Sequence, residues 1–131
     1  MTRQLKIPVA PGELLDKLSI LEIKLDRIAD TEKLANVRRE YELLTGIWQD
    51  AGLETDEIDA LRARLLVVNR RLWEIEDEVR ECEHEQDFGN RFISLARSVY
   101  MENDERAAIK KEINLALGSD IIEEKSYKNY R

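Results

Sequence analysis

The residues of this sequence that are best suited to bind a metal lie in one acidic stretch, between Glu74 and Glu85. Within it, Glu81 and His84 have the spacing that supplies two ligands of a carboxylate-bridged di-metal site in a helical bundle. Such a site needs a second Glu-x-x-His pair, and the sequence contains a single histidine. We therefore expect Glu81 and His84 to be a solvent-exposed pair of side chains, and we expect no metal site and no cofactor.

The same stretch carries carboxylates at spacings with which all-helical nucleotide pyrophosphatases hold magnesium. At ~100° per residue, however, Asp77 lies about 180° from the apolar seam that contains Ile75 and Val79. Because a run of charges on a long helix is usually its solvated face, we interpret this run in that way. Its members are Glu74, Asp77, Glu78, Glu81 and Glu85.

A second polar set flanks the predicted core instead of facing away from it. A buried charge must be paired, so these side chains could form an internal ion-pair network that fixes the register of the helices. Alternatively, Arg80, Arg106 and Lys110 could hold a small anion in a polar pocket between the third and fourth helices, because arginine binds carboxylate and phosphate at two points. We assign no catalytic residue. The candidate ligand-binding residues are Glu76, Arg80, Asn103, Arg106, Lys110 and Asn114.

Other catalytic motifs are missing from the sequence. It has no glycine-rich phosphate loop, no Gly-x-Ser-x-Gly elbow, and no cysteine and histidine set with zinc spacing. Its one cysteine, Cys82, falls in an apolar seam, where we expect inert core. These observations favour a non-catalytic protein over an enzyme.

The polar residues are carried by helices whose apolar positions recur with a heptad period. In the first helix, Leu14, Leu18, Leu21 and Leu25 are spaced four, three and four. Five glycines and two prolines leave few turns, so the elements should be few and long. The pattern predicts helices over about residues 11–29, 31–51, 56–86 and 89–117.

These elements predict an all-α fold, an antiparallel helical bundle in one domain over residues 1–131. At ~1.5 Å per residue the third and fourth helices are each roughly 45 Å long, and the short turn between them forces an antiparallel hairpin. The first two helices either form a shorter hairpin against it, which we prefer, or run nearly end to end as a third layer. The helical core is expected at 10–118, with an extended edge segment at 3–9 and a docked or loose tail at 119–131.

Composition limits the partners of the chain. It has 21 Lys and Arg against 28 Asp and Glu, and the resulting net charge of −7 disfavours nucleic-acid binding. No apolar run reaches the ~18–20 residues that cross a bilayer, so we expect no transmembrane segment, and the first residues lack a signal-peptide core. With a single cysteine, this indicates a cytoplasmic protein.

Two of the helices have apolar residues on more than one face. In the first helix, Ile23 lies almost opposite the leucine seam. Such helices are either central in the fold or contact another chain. We therefore expect a protein partner or self-association, with a homodimer as the assembly. The second apolar stripe of the fourth helix consists of Ile93, Ala96, Tyr100 and Ala107.

Five segments resemble a known family over nearly the whole chain. They are PGELLDKLSILEIK at 11–24, LWEIED at 72–77, FISLARSVY at 92–100, NDERAAIKKEIN at 103–114 and EEKSY at 123–127. The family is an uncharacterised group of short bacterial helical proteins, a domain of unknown function. Its relatives are found beside, or fused to, glycosyltransferase and surface-polysaccharide genes. Ala10 departs from the family, whose members often carry a helix-capping hydroxyl residue there.

The resemblance implies an accessory role in the assembly of bacterial envelope polysaccharides. Our hypothesis is therefore a non-catalytic helical interaction protein, and the alternative is a binding protein or enzyme for a small anion or a nucleotide-sugar. The resemblance also makes a set of matching polar positions into site candidates. They are Glu22, Lys24, Glu76, Asp77, Arg97, Asn103, Arg106, Lys110 and Asn114.

Overall fold

The computed structural model describes residues 3–131, which form four α-helices and no strand. The helices are α1 (Pro11–Arg27), α2 (Thr31–Ala51), α3 (Asp56–Glu85) and α4 (Asn90–Ala116). The all-α prediction is confirmed, and each predicted helix is present with ends that differ by at most a few residues. The helix α4 runs without interruption through Asn103 and Asp104.

Local chemistry explains where the helices begin and end. The side chain of Asp30 accepts hydrogen bonds from the backbone N–H groups of Glu32 and Lys33, at 2.9 and 3.1 Å, and so caps α2. Thr55 caps α3 in the same way, and Gly52 ends α2 in the left-handed conformation that glycine adopts without strain. Ala10 precedes α1 without a side-chain cap.

The helix α1 lies at the centre of the fold. It packs against α2, α3 and α4, whereas α2 packs along α1 and meets α3 through Trp48, over whose ring Arg62 lies. The three-residue connection between α1 and α2 makes them an antiparallel hairpin, so the end-to-end alternative is wrong. Ile23 is only 2% exposed, which explains why α1 is apolar on two faces.

The core is built where α1 lies on the α3–α4 hairpin. Its most deeply buried apolar side chains come from all three of these helices. Trp48 of α2 belongs to the same buried cluster. The heptad pattern predicted this arrangement because it places these side chains on facing stripes. The fully buried apolar members are Leu15, Leu18, Ile58, Leu65, Ile109 and Ile113.

The α3–α4 hairpin extends past the end of α1. Arg27, the last residue of α1, forms an ion pair with Glu74, and the part of α3 and α4 with their turn over residues 78–100 is here called the distal hairpin. Cys82 is buried in its seam, and Phe88 packs edge-to-face on Phe92. None of the helices in the described range is long and apolar enough to span a membrane.

The two ends of the chain differ from the helical core. Residues 3–10 join no sheet, and Leu5 and Ile7 are exposed, so the predicted edge segment is wrong. An edge strand needs a neighbouring strand to complete its backbone hydrogen bonds, and residues 3–131 offer none. The tail that follows Gly118 is docked on α4, because the rings of Tyr100 and Tyr130 lie 5.0 Å apart.

Candidate functional site

Four polar side chains are buried where α1 meets α3 and α4. Asp16 is only 1% exposed, and Ser19, Asn69 and Asn114 are also buried. A polar group without a hydrogen-bond partner is costly in such a place. Each of these side chains has a partner: Asp16, Ser19 and Asn69 form one network, and Asn114 bonds to the backbone of Gly12.

Asp16 is the centre of this network. Arg106 of α4 donates to its carboxylate at two points, from Nε to Oδ1 at 2.9 Å and from Nη2 to Oδ2 at 2.5 Å. Asn69 of α3 donates from Nδ2 to the same Oδ1 at 2.9 Å and to Ser19 Oγ. The Ser19 hydroxyl in turn donates to the backbone carbonyl of Asp16 at 2.9 Å. The carboxylate therefore ties three helices together and fixes the orientation of Arg106.

Lys110 lies one helical turn from Arg106 and faces two more carboxylates. Its Nζ donates to Glu13 Oε2 at 2.7 Å and to Glu123 Oε2 at 3.3 Å, and lies 3.8 Å from Asp16 Oδ2. Burial lowers the pKa of Lys110, but the hydrogen bond to Glu13 and the nearby negative charges outweigh it and leave that pKa raised. The pKa of Arg106 is also raised, chiefly by its hydrogen bond to Asp16. Both side chains therefore carry their positive charge at neutral pH.

A glycine brings α1 close enough to α4 for these contacts. The backbone N–H of Gly12 donates to Asn114 Oδ1 at 2.7 Å. A Cβ at this position would lie 2.6 Å from the backbone oxygen of Lys110, well inside van der Waals contact. The absence of a side chain at Gly12 is thus what allows Glu13 and Asp16 to reach the basic residues of α4.

The predicted site residues fall into two groups. Arg106, Lys110 and Asn114 come together against α1 and the tail, and Arg106 also lines a cleft between α3 and α4 with Glu76 and Arg80. Glu76 and Arg80 form an ion pair with each other on the exposed surface of α3. Asn103 lies between the two groups and lines the open spaces beside both.

Two clefts meet at Arg106 and Asn103, which line both. One cleft, of about 510 Å³, lies between α1, α3 and α4, and its wall includes Trp73, Glu76 and Arg80. The other, of about 270 Å³, lies between α1, α4 and the tail. The second cleft is lined by the four basic side chains Arg106, Lys110, Lys111 and Lys125, together with Glu13 and Glu123.

Sequence reasoning missed the contributions of α1 and the tail. Asp16, Glu13 and Glu123 carry the partner charges of the site, and none of them was a predicted member. One signal was available for α1, because Gly12, Asp16, Ser19 and Ile23 are also spaced four, three and four. This second seam of small and polar residues is buried throughout. No comparable periodicity marks Glu123, whose place depends on the path of the tail.

Apart from Asp77, which lines the larger cleft, the acidic stretch of α3 lies outside this site. Glu74 pairs with Arg27, and Arg91 lies within ion-pair distance of Glu78, Glu81 and Glu85. Across residues 3–131, no three His, Cys, Asp or Glu side chains are grouped so that they could hold a metal ion. The stretch is therefore a solvated helix face in this structure.

Residues 5–130 match the model of a protein family described as "Family of unknown function (DUF6165)". The match spans nearly the whole chain, so the chain belongs to that family. Comparison with curated proteins gave no match. Comparison with solved structures gave none either.

Proposed function

We propose that this member of the family is a non-catalytic helical interaction protein that self-associates as a homodimer. The observation that carries the proposal is a contrast between two parts of the α3–α4 hairpin. Where α1 covers the hairpin, the seam residues Leu65, Ile109 and Ile113 are fully buried. In the distal hairpin, large apolar side chains lie open to solvent.

The apolar stripe of α4 is the surface that we assign to this contact. Ile93 is 53% exposed, Ala96 is also exposed, and Phe88 is half exposed at the turn. Two helices alone have few neighbours against which to bury such side chains, and aromatic and aliphatic groups are typical of interface cores. These residues of the stripe therefore do not serve the core of the protomer.

A second copy of the chain is the occupant that we propose for this surface. A two-fold interface pairs one patch with its own copy, so each Ile93 would lie near the partner's Ile93. Arg97, exposed on the same helix segment, offers a positive charge to the acidic face of the partner's α3, which adds charge complementarity. We also propose an accessory role in bacterial envelope polysaccharide assembly, which rests on the family resemblance alone, and a cytoplasmic location, which rests on the single cysteine.

The assembly is tested by sedimentation velocity of the full chain at micromolar concentrations. We expect a species of twice the 15.3 kDa protomer mass. Ile93→Asp should return the protein to a monomer, whereas the matched variant Leu115→Asp, an exposed residue near the other end of α4, should remain dimeric. A wild-type protein that stays monomeric throughout the concentration series would overturn the proposal.

A second candidate function is the binding of a small anion, such as a nucleotide-sugar, with or without catalysis. The observation that favours it is the position of Arg106, which is held by a buried carboxylate and yet lines two open clefts. Thermal-shift measurements with anionic ligands test it, since a ligand that binds the native state raises its stability. The absence of any shift at millimolar concentrations would count against this function.

A further inference from the structure

The guanidinium of Arg106 is oriented from one side and open on the other. Its two hydrogen bonds to Asp16 use Nε and one N–H of Nη2, while the side chain is 29% exposed. An arginine has further N–H donors in the same plane, so the remaining ones are directed away from Asp16. Because Asp16 is in turn held by Asn69, this donor edge is fixed before any ligand arrives.

The smaller of the two clefts already contains an anionic group. The tail carboxylate of Glu123 lies 3.3 Å from Lys110 Nζ, although Glu123 itself is 60% exposed. Lys111 and Lys125 line the same cleft. A carboxylate from the chain therefore marks where an anion sits against these basic side chains, on a side of the cleft that is open to solvent.

The larger cleft offers a different chemistry. Its wall combines the indole of half-buried Trp73 with the apolar side chains of Ile20 and Leu72. A flat aromatic surface of this kind favours contact with another ring. Glu76 and Asp77 line the same cleft, and their carboxylates can accept hydrogen bonds from hydroxyl groups.

The two clefts are neighbours because they share Asn103 and Arg106. The larger one, at about 510 Å³, lies within the usual size range of small-molecule sites. We propose that together they bind a nucleotide, with its phosphate on Arg106 and Lys110 and its base against Trp73. The phosphate takes the place of the Glu123 carboxylate, which therefore competes with the ligand. This inference rests on the second candidate function and is independent of self-association.

Isothermal titration of the full chain with three matched probes tests the ligand. The probes are adenosine diphosphate, inorganic pyrophosphate and adenosine, which separate the contributions of the phosphate and the ring. We expect adenosine diphosphate to bind about tenfold or more tightly than either of the others, since it alone can occupy both clefts. Trp73→Leu should bring its affinity down to that of pyrophosphate.

Glu123→Gln tests the displacement. It removes the competing charge, and the affinity for adenosine diphosphate should rise about threefold or more, because a larger fraction of the protein is then free to bind. Glu112→Gln is the matched control, since it changes the net charge equally but lies against Arg64 on another face. Both glutamates are more than half exposed, so neither variant threatens the fold.

Each part of the inference has its own contrary result. Equal affinities for pyrophosphate and adenosine diphosphate would overturn the nucleotide assignment and leave anion binding intact. No binding of any probe at millimolar concentration would overturn both. If Glu123→Gln behaves like Glu112→Gln, the tail carboxylate does not occupy the phosphate position, and the displacement is wrong.

Discussion

Asp16 and Arg106 form a two-point ion pair although they are 90 positions apart in the chain. The pair joins the first helix to the last. The Asp16 side chain is almost completely shielded from water in this position. Replacing a buried ion pair by apolar side chains is often neutral or stabilising, so such a pair is weak evidence for stability. Its geometry instead suits it to fix the register of α1 on α4 and to orient Arg106 toward the clefts.

Removal of one charge from this pair should destabilise the protein strongly. In Asp16→Asn, Arg106 keeps its partly buried positive charge and loses its main counter-charge. We expect a loss of about 3 kcal/mol in the free energy of unfolding, measured by urea denaturation followed by circular dichroism.

Glu76→Gln is the control for that experiment. It also removes one carboxylate that pairs with an arginine, but the Glu76–Arg80 pair lies on the exposed face of α3. Surface pairs of this type contribute about 0–1 kcal/mol. Equal losses in Asp16→Asn and Glu76→Gln would mean that the Asp16 pair behaves like a surface pair.

Two glycine substitutions should have opposite effects. In Gly12→Ala the new Cβ would lie 2.6 Å from the backbone oxygen of Lys110, so α1 must move away from α4. We expect a destabilisation of about 1–3 kcal/mol, as for other overpacked sites. Gly46→Ala, inside α2, meets no atom within 4 Å and should stabilise by up to about 1 kcal/mol. Thermal unfolding of both variants checks the signs, and a stable Gly12→Ala protein would refute the close contact.

Two neighbouring positions of α3 differ in how deeply their side chains are buried. Leu65 is fully buried, whereas Val67, two residues later, is half exposed. Leu65→Ala should lower the free energy of unfolding by about 2–5 kcal/mol, because it leaves a cavity in the core. Val67→Ala should cost less than about 1 kcal/mol, since little apolar surface is lost to water. Similar losses at both positions would contradict the assignment of the heptad seam to the core.

The fold could be predicted because the spacing of apolar residues within one helix identifies the face of that helix that is buried. Leu61, Leu65 and Val68 identify one side of α3 as core without reference to any other segment. Caps such as Asp30 and Thr55 are equally local, since each bonds to a backbone group a few residues away. The position of Ile23 opposite the leucine seam left two alternatives open, a central helix or a contact with another chain, and its burial within the protomer favours the first.

The site was predictable only in part because its contacts join distant segments. The basic residues Arg106 and Lys110 were recognisable as polar members of an apolar pattern. Their partners Asp16 and Glu123 were not, because the sequence does not state how α1 is rotated or where the tail passes. Arg80 was placed with the basic set since it flanks the α3 seam, but its neighbour Glu76 is one helical turn away and pairs with it instead.

The raised pKa of Lys110 predicts a loss of stability in alkaline solution. The folded protein holds this proton more tightly than the unfolded chain, for which the ordinary lysine pKa is 10.5. The resulting stabilisation is complete below about pH 10.5, and it disappears as the pH rises through the higher pKa of the folded state.

Urea denaturation at a series of pH values from about 9 to 12 should therefore show a steeper decline in the free energy of unfolding for the wild type than for Lys110→Met, which cannot release that proton. The comparison with this variant removes the contribution of the tyrosines, which titrate in the same range in both proteins. Parallel declines would mean that the carboxylates of Glu13, Asp16 and Glu123 do not hold the proton on Lys110, and the ionic character of the network would then be in question.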